Sequence, residues 1–220
     1  MTKAELARLI DHTVLGPDTS RAAVERACAE AIEHGFYAVC IPPRYTALAK
    51  SLLRTTGVRV CTTIGFPHGQ HRPEVKACEA TYAKLDGVDE VDMVVDVAAL
   101  KEGDRSRVLA DIQAVREAVP RPIVLKVILE CALLSDEQKA AGATLAREAG
   151  ADFVKTSTGF STGGATVEDV ALLRRTVGKA LGVKASGGIR DWSTALRMVE
   201  AGANRIGASK SVQVLAGAPE

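Results

Sequence analysis

The sequence predicts a single (β/α)8 barrel running over residues 1–220. Three observations predict it. Eight short apolar runs alternate with longer amphipathic segments along the whole length. Several runs are apolar on both faces, as expected for parallel strands covered by helices. Three junctions, EHGFYAV, EAGADFV and EAGANRI, repeat the same order of helix, glycine stop and strand. The eight units average about 27 residues, compact but within the size range of such barrels. The competing architecture, an open doubly wound sheet, usually has a glycine fingerprint after its first strand. Here the first run leads into GPDTS instead, which favours the barrel.

The expected strands cover residues 9–15, 37–41, 58–64, 90–95, 123–129, 152–156, 183–186 and 204–208. The segments between them have helix starts and stops. Asp18, Thr19 and Ser20 offer N-caps before AAVERACAEAIEHG, and Gly35 ends that helix. Pro73 suits a first helical turn before EVKACEATYAKL. Ser135 opens DEQKAAGATLAREAG, closed by Gly150, and Trp192 with Ser193 opens a helix that ends at Gly202. No linker or low-complexity tract divides the chain, so one domain is expected.

Composition narrows the function. Hydrophobic residues make up 47% and charged residues 25%, which suits a packed core and argues against disorder. Lys plus Arg is 28 and Asp plus Glu is 27, so the basic excess of a nucleic-acid binder is missing. No stretch approaches the ~18 apolar residues of a membrane span. The start, MTKAELARLIDHTVL, has charges where a secretory signal needs a continuous apolar run. The five cysteines are odd in number and form no CxxC, so a disulfide framework or structural zinc is not expected. That usage fits a reducing, cytoplasmic setting.

Four charges stand where a packed barrel should have aliphatics. Asp92 lies in EVDMVV, Lys126 in IVLKVIL, Lys155 in DFVKTS and Lys184 in GVKASGG. A charge surrounded by hydrocarbon must be paired or functional, since leaving water costs several kcal/mol per ion. The bland reading is one Asp–Lys pair with the other lysines snorkelling to solvent. The functional reading is chemical. An ammonium near a second one, beside an apolar wall, is disfavoured, and the freed amine can attack a carbonyl. The resulting iminium withdraws electrons and acidifies the adjacent carbon, so aldol chemistry runs without a metal. A carboxylate such as Asp92 can move the protons, directly or through a water. Lys155 and Lys184 lie at strand ends before glycine-containing loops, the face where barrels place their chemistry.

Phosphate signals lie at the same mouth. Gly187 and Gly188 follow the seventh strand, and Gly207 and Ser209 end the eighth. Loops after strands seven and eight are the recurrent phosphate site of this fold. TSTGF, after Lys155, adds the hydroxyl of Thr158 and Gly159.

The stretches LIDHTVL, VCIPPR, TTIGFPHG, DEVDMVVDVAAL, LKVILE, AGADFVKTSTGF, VKASGGIR and RIGAS resemble the 2-deoxyribose-5-phosphate aldolases, in the family's order and over nearly the whole chain. The resemblance implies a metal-independent class I aldolase that needs no cofactor. It would join acetaldehyde to D-glyceraldehyde 3-phosphate to give 2-deoxy-D-ribose 5-phosphate, or run the reverse. Carried over by motif, Lys155 is the Schiff-base lysine, Lys184 the second lysine that tunes it, and Asp92 the proton donor and acceptor. Asp11 and Thr13 resemble mouth residues that contact the sugar or a catalytic water. Lys126 resembles the lysine beside the catalytic pair.

Two positions depart from the family pattern. Phe160 stands where some members carry a phosphate-binding lysine, and Lys210 follows Ser209. Lys210 is expected to supply some of the missing positive charge. His68, His71 and Glu74 have a spacing that could suit a metal on one helical turn, but Pro73 interrupts such a turn and loop histidines are the expectation. Cys40 is expected near the mouth without a catalytic role, and Arg174–Arg175 on a solvated helix face. The implied partner is a small phosphosugar, with self-association into a dimer or tetramer. Two rivals remain at this point: another Schiff-base barrel with a ketone donor, and a phosphosugar-binding barrel whose lysines only neutralise phosphate.

Overall fold

The computed structural model describes residues 1–218, and in it eight parallel strands close into a barrel in chain order. They are β1 (Ile10–Thr13), β2 (Ala38–Ile41), β3 (Arg59–Ile64), β4 (Glu90–Val94), β5 (Val124–Ile128), β6 (Phe153–Lys155), β7 (Gly182–Ser186) and β8 (Arg205–Ala208). Before β1 comes the short helix α1 (Lys3–Ala7), and α2 (Arg21–His34) follows that strand. After β2 comes α3 (Thr46–Leu53), after β3 α4 (Pro73–Leu85), and after β4 the pair α5 (Val97–Glu102) and α6 (Arg105–Ala118). The circuit ends with α7 (Asp136–Glu148), α8 (Val167–Val177), α9 (Trp192–Glu200) and α10 (Ser211–Ala216), one after each remaining strand.

Every expected strand is present, most of them shorter than the apolar run that announced it. Residues 9–15 contract to Ile10–Thr13, although the Val14 N–H still donates to Cys40 O at 2.9 Å beyond the strand end. The caps explain where helices begin and stop. Ser20 accepts the Ala23 N–H, and Gly35 closes α2 in the left-handed region at φ 68°. Ser135 and Gln138 form a reciprocal capping box on α7. The helix α9 starts at Trp192 as expected, and Asp191 is its cap, accepting the Thr194 N–H at 2.8 Å, with the Ser193 hydroxyl on the same carboxylate.

Alternation along each strand sorts the side chains. On β4, Val91 and Met93 are buried in the shell between strands and helices, while Glu90 and Asp92 turn into the barrel. One further buried pair braces the rim of β4. Lys76 of α4 donates to Val94 O at 2.9 Å and to Asp111 Oδ2 of α6 at 2.7 Å, and the same oxygen accepts the Asp96 N–H. Burial pushes Lys76 below its ordinary range, although Asp111 opposes the shift. Burial also raises the Asp111 carboxyl against the pull of Lys76.

Candidate active site

Asp92 stands at the centre of the barrel and is fully buried. Its Oδ2 accepts from Lys155 on β6 and from Lys184 on β7, each at 2.7 Å. Its Oδ1 accepts from Lys126 on β5 at 2.8 Å, and Cys61 Sγ on β3 lies 3.2 Å from the same oxygen. The register accounts for this convergence. Asp92 pairs with Lys126 across β4–β5, and Lys155 pairs with Lys184 across β6–β7. The closed barrel brings both pairs to one axis.

Below this layer lies a second set of charges. Lys126 also binds Glu90 at 2.6 Å. Glu90 and Asp11 each accept from Arg205 at 2.9 Å, and the Asp11 carboxylate also takes Lys184. The Arg205 guanidinium stacks 3.6 Å from the centroid of the Tyr37 ring. The interior network therefore holds four cations (Lys126, Lys155, Lys184 and Arg205) against three carboxylates (Asp11, Glu90 and Asp92). Loss of one proton would leave it neutral.

The electrostatics assign protonation to most members. Burial alone would raise the Asp92 carboxyl, but Lys126, Lys155 and Lys184 outweigh it and hold it well below the usual range. Asp11 is likewise opposed by burial, yet Lys184, Arg205 and Lys126 lower it to about 2. Burial disfavours the ammoniums of Lys126 and Lys184, but carboxylates win at both: Asp92 foremost for Lys126, Asp11 then Asp92 for Lys184. Both lysines are raised above the ordinary range. Burial, with Cys40 and Asp92 beside it, pushes the Cys61 thiol up, so it stays protonated.

Above Asp92 a cavity of about 330 Å3 opens at the C-terminal ends of the strands. Lys155 reaches it and is 3% exposed; Lys126 and Lys184 are sealed beneath. Thr13, Thr158, Gly187, Gly188, Gly207 and Ser209 line it, as the sequence led us to expect. Gly187 and Gly188 both have positive φ, at 87° and 78°. The Gly187 carbonyl accepts the Ala165 N–H at 3.0 Å, and this close approach requires Gly164, where a Cβ would fall 2.3 Å from that oxygen. Gly207 leaves room for Lys184, whose Cε would sit 3.1 Å from an added Cβ.

Several expectations are corrected by geometry. Asp11 does not line the mouth; it lies fully buried beneath the floor as a counter-charge to Lys184 and Arg205. Lys126 is likewise outside the cavity wall and sits on Asp92, beside Lys155 and Lys184. Lys210 precedes α10 and lies outside the cavity, whereas Arg190, in the loop after β7, lines it and is the cation the sequence reading missed. Cys40 is buried within β2 and absent from the cavity wall. His68 lines a neighbouring cavity, and His71 and Glu74 are exposed. Among the described residues, metal-type side chains gather at Cys40–Cys61–Asp92 and Asp11–Cys61–Glu90, where lysines and Arg205 already occupy the carboxylates. Glu90, Arg205 and Cys61 were also missed. Glu90 had a usable signal: it stands two residues before Asp92 and so shares its face.

A family model described as the DeoC/LacD family aldolases matches residues 6–218. The chain belongs to the DeoC/LacD aldolase family. The resemblance read from the motifs is thereby borne out, and the chain is a carbon–carbon lyase. It is 54% identical to a deoxyribose-phosphate aldolase of Enterococcus faecalis over 97% of both chains. It is 52% identical to deoxyribose-phosphate aldolase 1 of Bacillus licheniformis over 99% of this chain and 97% of that one. Among solved structures, the deoxyribose phosphate aldolase of Aeropyrum pernix, described as a tetramer, superposes with a TM-score of 0.91 at 37% identity, covering 98% of this chain and 91% of that one. The strand order and these neighbours make this DeoC/LacD member a (β/α)8 barrel.

Proposed function

We propose that this aldolase joins acetaldehyde to D-glyceraldehyde 3-phosphate, and cleaves 2-deoxy-D-ribose 5-phosphate, through a Schiff base on Lys155. One observation carries the reading. Of the four interior cations, Lys155 is the one that lines the cavity, and it shares a single carboxylate oxygen with Lys184. The amine with one ionic contact and access to the cavity is the group placed to meet a carbonyl. Lys126, Lys184 and Arg205 each contact at least two carboxylates.

The steps then follow from position. The neutral Lys155 amine adds to the acetaldehyde carbonyl, and loss of water leaves an iminium. The Asp92 carboxylate, hydrogen-bonded to the same nitrogen, takes a proton from the methyl carbon through a water, giving the enamine. The enamine carbon attacks the aldehyde of glyceraldehyde 3-phosphate, and the alkoxide that forms takes back the proton held by Asp92, through the same water. Hydrolysis of the new iminium frees the deoxysugar phosphate and restores the amine. Lys184, held protonated between Asp11 and Asp92, keeps positive charge beside the reacting nitrogen. The phosphate sits against Gly187, Gly188 and Ser209, with Arg190 as its cation and Gly207, Thr158 and Thr13 completing the pocket. Asp11 and Lys126 act from below by fixing Lys184 and Asp92.

The setting is cytoplasmic and the assembly a homo-oligomer in the same reading. All five cysteines are free thiols, as a reducing compartment allows. No helix among the described residues is long and apolar enough to cross a membrane. Val75, Tyr82 and Leu85 expose apolar surface on α4, at 50%, 66% and 73%, which a second copy could cover.

Borohydride added to a mixture of the protein and 2-deoxyribose 5-phosphate tests the chemistry. The expected product is a reduced two-carbon adduct on the peptide containing Lys155. An adduct on Lys184, or none, rejects the assignment. Turnover with ketone donors in place of acetaldehyde would move the protein to another class of Schiff-base aldolase.

A further inference from the structure

The chain from Leu129 to Cys131 grips the segment that carries Lys155. The Leu129 N–H donates to Lys155 O at 3.0 Å, and the Cys131 N–H donates to Thr156 O at 2.9 Å, so β5–β6 pairing continues past both strand ends. Between these two contacts Glu130 breaks the extended path, with φ 60° and ψ 62°. It is the one non-glycine residue with positive φ among those described. A long side chain adopts this left-handed conformation only where surrounding structure enforces it, and such strain gathers at functional sites.

The side chain shows what the turn achieves. Glu130 is 4% exposed, and its carboxylate points at the loop after β6. The Thr158 N–H donates to both of its oxygens, each at 3.3 Å, and the Thr158 hydroxyl donates to one of them. That hydroxyl oxygen in turn accepts the Phe160 N–H at 3.0 Å. The carboxylate thus extends the ladder, taking the N–H of Thr158 where the backbone carbonyls have run out. Thr158 and Phe160 form part of the wall between the main cavity and a neighbouring one, which Glu130 itself lines.

We propose that Glu130 is a positioning residue of the aldolase: its carboxylate, presented by a left-handed backbone turn, fixes the Thr158–Phe160 wall against which the phosphorylated substrate is seated. The proposal rests on the reading of this cavity as the phosphosugar site. Without the carboxylate, the Thr158 N–H and hydroxyl lose their acceptor and the wall loosens. The Lys155 side chain keeps its place, because Asp92 holds its amine and Leu129 holds its carbonyl. The loss therefore falls on the phosphorylated substrate and spares the amine.

The test compares Glu130→Gly, Glu130→Gln and Thr158→Val. Glycine accepts the left-handed turn and deletes the carboxylate, while glutamine keeps one acceptor oxygen. Glu130→Gly should raise KM for 2-deoxyribose 5-phosphate by about ten-fold or more, and Glu130→Gln by less. Borohydride trapping of acetaldehyde should stay within about two-fold of wild type in both. Thr158→Val should also raise KM, and the Glu130→Gly/Thr158→Val double variant should be no worse than the poorer single. An unchanged KM in Glu130→Gly, additive losses in the double variant, or an equal fall in acetaldehyde trapping would each overturn the proposal. If Glu130→Gly does not fold, Glu130→Gln decides by the same split. Absence of any adduct in the wild-type protein rejects the Lys155 chemistry separately, while the KM comparison still decides the role of Glu130.

Discussion

Lys155 and Lys184 are register partners on adjacent strands, and both donate to the same oxygen of Asp92 at 2.7 Å. Two ammoniums on one carboxylate oxygen cannot both be fully compensated by it. Lys184 finds a second carboxylate in Asp11, which Lys155 does not reach. The asymmetry between the two lysines thus comes from what stands behind them.

Replacing Lys184 by Leu removes one cation and leaves three against three carboxylates. The second lysine on the Asp92 oxygen is then gone, and with it the positive charge beside the reacting nitrogen. Turnover at neutral pH should fall by roughly 10²–10⁴-fold. A variant with near-normal activity would remove Lys184 from the mechanism.

Stability should fall in acid. Asp11 is held at about 2 in the folded protein, below the ~3.9 of an unfolded aspartate, and Asp92 is depressed in the same direction. A depressed carboxylate stabilises the fold fully above its unfolded value, and that contribution fades as pH drops through the folded one. The free energy of urea unfolding should therefore decline between about pH 4 and pH 2. Asp111, raised by burial against the pull of Lys76, works in the opposite sense and softens the slope. A flat unfolding free energy across this window would contradict the charge assignments in the barrel.

Arg190 and Lys210 separate two ideas about the phosphate. Arg190 lines the cavity and Lys210 does not. Arg190→Ala should raise KM for 2-deoxyribose 5-phosphate about ten- to hundred-fold, the size of a lost charge-assisted hydrogen bond, with little change in acetaldehyde trapping. Lys210→Ala should leave KM near wild type. The reverse pattern would return the phosphate contact to Lys210.

Gly207→Ala tests the space around the second lysine. A Cβ there would sit 2.9 Å from Ser186 Cβ and 3.1 Å from Lys184 Cε, so Ser186 must shift and Lys184 must give slightly. Because rate depends steeply on the placement of groups beside the reacting atoms, kcat should drop by about ten-fold while the fold persists. Wild-type kcat in this variant would show that Lys184 tolerates displacement.

Much of the site was legible in the chain because its signals are local. Lys155, Lys184 and Asp92 announce themselves as charges inside apolar strand segments, and the glycines of SGG and IGAS mark loops of the cavity wall by their place after strands seven and eight. Glu90 was readable by its spacing from Asp92 and was overlooked. Arg190 gave no such signal, since an arginine after a glycine turn looks like any solvated loop residue until the loop's direction is known.

By itself the sequence determined the alternation of strands and helices, the family, and which residue types occupy the barrel axis, because periodicity and apolar flanks are properties of neighbours in the chain. Tertiary structure alone decided which charge meets which. Asp11 and Arg205 are 194 positions apart, yet they share a hydrogen bond once β1 closes against β8. The count of cations against carboxylates, and with it which lysine reaches the cavity, exists only after the barrel has closed. Ring closure places residues from eight strands within one low-dielectric volume, where each charge is set by the others.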